Sequence, residues 1–439
     1  MAAAPPLPVA SRPARLSPPA PAPLISEPNA SRPPVQTLVS FEEARRAVLG
    51  AARPTRAETV DLGAALGRTL AAPVVSGDAL PPFDTSAMDG YAVRAADVAG
   101  APGAWPVAET VHAGGVPAGP LPPGAVAGIM TGAPLPAGAD AVVPVEWTQG
   151  AGPDRVRIER APEPGQYVRR RGEALAVGDR VLGAGAAVTP AAVGLLAAVG
   201  AARVEVWRRP LVAVVATGDE LVGADETPGP GQIRDANGPG LAAQVTAAGG
   251  DVLGPLVARD TAASVSAALD VAAGADVLVF AGGVSVGERD LVRTELERRG
   301  VAWAFWKVRQ RPGKPLAFGT LGGVPMVGLP GNPVSAAVCF EVYVRPLLAA
   351  CLGRPEPAGP LEPAVLEAPV PKAEGLHTFA RAVARRRADG RLGLTPAGPQ
   401  GSHVARSLVD SDGLAHLPAA WPEAPAGAEV LFERWAWGR

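Results

Sequence analysis

"LVAVVATGDEL", residues 211–221, decides the fold. Residues 211–216 are apolar without interruption and rich in valine. The run then stops at Thr217-Gly218-Asp219-Glu220. A strand apolar at every position is buried on both faces, which fits a parallel sheet covered by helices. The residues beyond repeat the pattern. A helix is expected from about Asn237 through "GPGLAAQVTAAGG". "DVLGPLVA" (251–258) reads as a second strand and "TAASVSAALDVAAG" (261–274) as a second helix. "DVLVFAGG" (276–283) is a third strand and "VPMVGLPG" (324–331) a late one. "NPVSAAVCFEVYVRPLLAACLG" (332–353) is a long helix. Strands alternating with helices predict a central parallel α/β sandwich. Ligands of such sheets bind outside the carboxyl ends of the strands.

The flanking regions differ. Order is expected to begin near Ser40, where Ser40 and Glu43 form a capping-box pattern. Phe41, Ala44 and Val48 then follow at helical spacing. Between 58 and 210, short strands alternate with Gly/Pro turns, as in "TVDLGAAL", "YAVRAADV", "RVRIE" and "DRVLGAGAAV". "TPAAVGLLAAVG" (189–200) is a short helix ended by Gly200. The expected fold is multidomain: the α/β sandwich, N-terminal β-rich domains and a C-terminal β-barrel-like domain. The expected boundaries are a disordered Pro/Ala-rich leader at 1–36, N-terminal helix and β-rich subdomains at 37–210, the α/β domain at 211–355, and the C-terminal β domain at 362–437.

Composition narrows the class. The chain has 439 residues, 48% hydrophobic and 19% charged, with formal net charge −2. That length needs several cores. The charge offers no broad basic field for nucleic acid. The leader has no continuous apolar segment of signal-peptide type. "VTPAAVGLLAAVGAARVEVW" comes closest to a membrane span, but Gly200 breaks it. Cys339 and Cys351 sit in an apolar helical pattern and read as buried thiols, with no disulfide framework or zinc site. A cytoplasmic enzyme, with neither nucleic acid nor membrane as partner, is the simplest class.

The chemistry collects at strand ends. "VLVFAGGVSVGERD" ends a strand in Gly282-Gly283 and continues to Ser285, Gly287 and Asp290. Glycines let backbone N–H groups close around an anion. Ser285 adds a hydroxyl, and Asp290 a hard ligand for Mg²⁺. "GLPGNPVSAAV" repeats the logic: after Gly331, Asn332 is a good N-cap, Pro333 suits the first helical position, and Ser335 points a hydroxyl to the same place. In "WKVRQRPGKPLAFG", Lys307, Arg309, Arg311 and Lys314 crowd a rigid Pro/Gly turn and form a candidate anion site. Asp219, Glu220 and Asp260 add acidic strand ends. Together these describe a nucleotide phosphate with its divalent metal. No P-loop, dinucleotide fingerprint or serine nucleophile elbow is present.

One further stretch stands out. In "PPFDTSAMDGYAVR" (81–94), a rigid turn places Asp84 and Asp89 beside a strand. Taken in order, "DTSAMDGYAVR", "TGAPLPAGADAVVPVE", "ATGDEL", "FAGGVSVGERD", "RPGKPLAFG" and "GLPGNPVSAAV" resemble the molybdopterin molybdenumtransferases, the MoeA proteins. The same module forms the E domain of gephyrin. The resemblance runs from about Ser40 to the C-terminus, and its α/β part is of the MoaB/Mog kind. It implies the last step of molybdenum cofactor synthesis, in which adenylylated molybdopterin and molybdate give molybdenum cofactor and AMP with Mg²⁺ as cofactor. It also implies a homodimer with shared active sites and contact with other cofactor-synthesis proteins. A non-enzymatic molybdopterin-binding scaffold and a molybdopterin adenylyltransferase are the alternatives.

The resemblance assigns roles by motif. Asp89, Thr131, Glu220, Asp260 and Lys314 are implied to be catalytic. Gly282, Gly283, Ser285, Gly331, Asn332 and Ser335 would hold the nucleotide substrate. Arg311, Lys314, Arg381 from "HTFAR" and Ser402 from "QGSHVARSL" would hold molybdate. Asp290, Asp260 and Glu220 would hold the metal. The chain departs from the family pattern at Ala174, where an acid is usual after Gly172-Glu173. It departs again at Arg311, where Lys is common, and at Asp412.

Overall fold

In a computed structural model of the chain, residues 35–283, 291–354, 360–435 and 437 are described. Leu211–Thr217 lies between Asp251–Ala258 and Val277–Ala281, parallel to both. Its side chains alternate between two cores. Val212 and Val214 join Leu241, Val245 and helix Pro333–Cys351 on one face. Ala213 and Val215 join Val265 and Leu269 on the other. Full burial of an aliphatic side chain contributes about 1.5–3 kcal/mol. That is why an apolar residue stands at every position from Leu211 to Ala216.

The sheet is mixed rather than wholly parallel. From Val277–Ala281 it continues to Val324–Leu329, Ala317–Leu321, Ala302–Val308 and Gln36–Val39. The pairings of Ala317–Leu321 on both sides are antiparallel. Gly322 and Gly323 have φ of 58° and 85°, the positive values that a tight two-residue hairpin requires. The basic residues of "WKVRQR" conceal a strand whose Trp303, Phe305 and Trp306 are buried. The chain is also ordered before Ser40, because Gln36–Val39 pairs in parallel with Ala302–Val308. Four residues are too few to show a period.

Helix Phe41–Gly50 carries the expected capping box: Glu43 N–H donates to Ser40 Oγ at 3.2 Å, and Ser40 N–H to Glu43 Oε2 at 2.8 Å. Such a cap contributes about 1 kcal/mol. Pro333–Cys351 is the helix long and apolar enough to cross a membrane among the described residues, rather than the segment near Gly200. It is a core element: Val334, Val338, Phe340, Tyr343 and Leu347 are fully buried, as are both cysteines. Its middle, Phe340–Val344, is a π-turn. Pro346 has no N–H to give the preceding turn.

In the C-terminal region, His377–Arg386, Leu392–Pro396, Glu362–Leu366, Glu429–Arg434 and Gly413–Leu417 pair in that order, and the last pairs back onto the first. The sheet is thus a closed barrel around Leu394, Ala415 and Phe432. Phe379, Leu414 and Trp435 instead join the α/β core, which ties the barrel to it. In the N-terminal region a six-stranded sheet contains Gly90–Val93, Val126–Ile129 and Ala141–Pro144. A smaller unit packs helix Pro190–Ala198 on Ala57–Asp61 and Arg203–Trp207 around Leu70, Leu196 and Val206.

Candidate active site

The carboxyl ends of Leu211–Thr217 and Val277–Ala281 open onto a cleft of about 530 Å³. Glu220 and Asp260 line its acidic side; Gly282, Gly283, Gly331 and Asn332 line the opposite side. Gly282 N–H donates to Leu329 O at 3.1 Å, which joins the two glycine turns. Neither Gly282 nor Gly283 could carry a side chain. Their φ values are 87° and 61°, and a Cβ would lie 2.9 Å from Thr217 O and 2.5 Å from Thr217 Oγ1. The sequence puts glycine there because Thr217 occupies the space.

The acidic side is electrostatically strained. Asp260 N–H donates to Asp219 Oδ1 at 3.0 Å, and Arg259 Nη1 donates to Asp219 O at 2.8 Å. Burial, then the charges of Asp219 and Glu220, push the Asp260 carboxyl above its usual range. A cation would relieve that repulsion. Among the described residues no group of three acidic, His or Cys side chains is placed to hold a metal. Glu220 and Asp260 alone match the one or two carboxylates that Mg²⁺ takes from a protein when phosphate and water complete its shell. Ser285, Gly287 and Asp290 lie outside the described residues.

Asn332 takes the N-cap position of helix Pro333–Cys339, but its side chain makes no capping bond; it is exposed and faces the cleft. Ser335 is 4% exposed, inside the first turn. Ser402 O accepts from Val334 N–H at 3.3 Å, so a C-terminal loop touches the start of this helix. Arg311 and Lys314 flank Gly313, where a Cβ would lie 2.2 Å from Cys339 Sγ. Gln310 Nε2 donates to Gly313 O at 3.2 Å, and Tyr343 Oη donates to Gln310 Oε1. This buried network anchors the basic turn, whose Pro315 reaches the cleft. Arg311 pairs with Thr378 of the barrel.

Arg381 is 1% exposed. Its Nε donates to Ser407 Oγ at 3.1 Å, and its Nη2 to Pro399 O and Gly401 O at 3.4 and 3.3 Å. Burial and the nearby Arg311 charge pull its guanidinium down to about 10. It therefore supports the loop that presents Ser402.

Asp89 and Thr131 come together elsewhere. Thr131 N–H and Oγ1 donate to Asp89 Oδ1 at 2.7 and 2.9 Å, holding the carboxyl below its usual range. Gly90 follows because a Cβ would lie 2.0 Å from Val143 O. Neither Asp89 nor Thr131 lines the cleft. Asp84 accepts from Arg170 Nη1 at 2.7 Å and from Arg171 N–H at 2.8 Å, so it braces the turn.

The sequence reading missed Thr217, Arg234, Asp235 and Asn237, all of which line the cleft. A signal existed. "RDAN" puts Asp235 just ahead of helix Asn237–Ala247, where its Oδ1 accepts from the N–H groups of Asn237 and Gly238, each at 2.9 Å.

Comparison with known proteins gives matches along the chain. Residues 39–200 match the MoeA N-terminal region (domains I and II), 213–350 a probable molybdopterin binding domain, and 363–435 the MoeA C-terminal region (domain IV). Molybdopterin molybdenumtransferase 2 of Mycobacterium tuberculosis is 42% identical over 401 residues, covering 89% of this chain and 98% of that one. The molybdopterin molybdenumtransferase of Haemophilus influenzae is 35% identical, covering 87% and 94%. A solved molybdopterin biosynthesis MoeA protein from Pyrococcus horikoshii superposes with a TM-score of 0.78 at 28% identity, covering 91% of this chain and all of that one.

Proposed function

The chain belongs to the MoeA family, and from that premise we propose that its cleft is where molybdenum enters molybdopterin. It is a molybdopterin molybdenumtransferase of molybdenum cofactor biosynthesis. Adenylylated molybdopterin and molybdate are the substrates; molybdenum cofactor and AMP are the products. The observation that carries this reading is the cleft itself: two carboxylates facing two glycine turns at the carboxyl ends of a parallel sheet. The N–H groups of the glycine turns cradle the phosphates. Glu220 and Asp260, with Asp290, would hold Mg²⁺, which when bound neutralises phosphate charge as the anhydride is broken. Asn332 and Ser335 position the nucleotide. Lys314 and Arg311 draw molybdate to the rim of the cleft, and Ser402 donates to it from a loop that Arg381 supports. A scaffold role and the adenylyltransferase reaction are not favoured, because the relatives matched over nearly their whole length are molybdenumtransferases and the match includes the MoeA N- and C-terminal regions.

The protein acts in the cytoplasm as a homodimer in which Asp89 and Thr131 of each subunit complete the partner's cleft. Their separation from the cleft residues within one chain supports this arrangement. Single-turnover AMP release tests the reading. Asp260→Asn should slow it by about a hundredfold or more, the usual cost of losing one preorganised electrostatic contact. AMP release by this variant at the wild-type rate would sink the assignment.

A further inference from the structure

The described residues lining the cleft include three carboxylates, Glu220, Asp235 and Asp260, and a single cation, Arg234. The sequence reading gave Arg234 no role. Its backbone is held from three directions. Ile233 and Arg234 pair in parallel with Leu221 and Val222, directly after the acidic pair. Asp235 then caps the following helix. Asn237 Nδ2 reaches across to Gly331 O at 2.7 Å, on the glycine side of the cleft. The segment therefore spans the cleft from its acidic to its anion-binding side, and Arg234 sits in the middle of it. Its guanidinium Nε donates to Ala224 O at 3.1 Å. That contact orients the planar group, and its two terminal nitrogens make no hydrogen bond among the described residues.

We propose that Arg234 is a substrate-binding residue that clamps the phosphoanhydride of the nucleotide substrate. This rests on the reading of the cleft given above. A substrate with two adjacent phosphates brings negative charge into a site already crowded with carboxylates. Glycine N–H groups supply dipoles but no net charge. A guanidinium offers a forked pair of donors to phosphate oxygens, and such charge-assisted bonds are about twice as strong as neutral ones. Because Arg234 meets the diphosphate in the bound substrate and in the transition state alike, its effect falls on binding rather than on turnover.

The test compares wild type with Arg234→Ala, Arg234→Gln and Arg234→Lys. ADP is the binding probe, followed by calorimetry, and steady-state AMP release gives KM and kcat for adenylylated molybdopterin. For the Ala and Gln variants, the Kd for ADP and the KM should both rise roughly ten- to hundredfold, the span of one charged hydrogen-bonded contact. The kcat should stay within about twofold. Lys should restore part of the affinity, and raising the salt should weaken wild-type ADP binding more than that of the Ala variant. Ala and Gln variants with wild-type Kd and KM would overturn the proposal and leave the reading of the cleft intact. A fall in kcat at unchanged KM would also overturn it. A wild-type protein that neither binds ADP nor releases AMP would refute the cleft reading, and this proposal with it.

Discussion

Replacing His377 by Phe should make the protein more resistant to acid, and the structure sets the size of the effect. His377 is 7% exposed where the first helix meets the barrel. Its ring centroid lies 4.6 Å from that of Phe41 and 4.8 Å from that of Phe379. Its Nε2 is buried without a partner, and its Nδ1 is 3.7 Å from Glu42 Oε1. Burial, then the charges of His416, Lys372 and Arg45, pull its pKa down from 6.5 to about 3. Here the folded state binds fewer protons than the unfolded one. Stability from this group is therefore full above the unfolded value and is lost as pH falls from there towards the folded one. Linkage across those two values gives a loss of about 2 kcal/mol between about pH 7 and pH 5. Phe keeps the ring contacts, sacrifices no hydrogen bond of Nε2 and cannot titrate. Urea unfolding at both pH values, read by tryptophan fluorescence, should show wild type losing about 2 kcal/mol more than His377→Phe. Equal losses would refute the assignment of acid sensitivity to this buried ring.

Five other outcomes follow from local contacts and composition. Gly90→Ala should unfold or badly destabilise the six-stranded N-terminal sheet, since its Cβ would collide with Val143 O; circular dichroism and AMP release should fall together. Deleting residues 2–34 should leave stability unchanged, because that composition cannot supply a core. Extending the deletion through Val39 removes an edge strand and a residue only 6% exposed, and should cost about 2 kcal/mol or more in urea unfolding. Ser402→Ala should raise the molybdate concentration needed for AMP release with little loss of stability. Arg381→Ala should instead destabilise the fold by about 3 kcal/mol or more, because it empties a buried side-chain site and removes the bonds that hold the loop; a thermal melt separates the two.

Much of this protein was legible in one dimension. The uninterrupted apolar run at 211–216, the capping pair Ser40 and Glu43, and the strand ends at Gly282 and Gly331 are local signals. Each is set by which backbone conformation a few adjacent residues can adopt and which faces they can bury. They were enough to place four parallel strands of the central sheet and the helices at Asn237–Ala247, Ala262–Val271 and Pro333–Cys351. Other features depend on residues far apart in the chain. Arg234 enters the cleft because Asn237 bonds to Gly331, 94 positions away. Asp89 is fixed by Thr131, 42 positions away. Arg381 looks like a free cation in "HTFAR", yet barrel closure buries it and directs its donors to the loop that carries Ser402. Trp306, Lys307 and Val308 of "WKVRQR" belong to a strand only because Ala302–Val308 pairs with Ala317–Leu321 on one side and Gln36–Val39 on the other. Periodicity and propensity report a residue's immediate neighbours along the chain. Burial, pKa and hydrogen-bond partner depend on neighbours in space, and those were settled only when the sheet, the barrel and the N-terminal domains closed on one another.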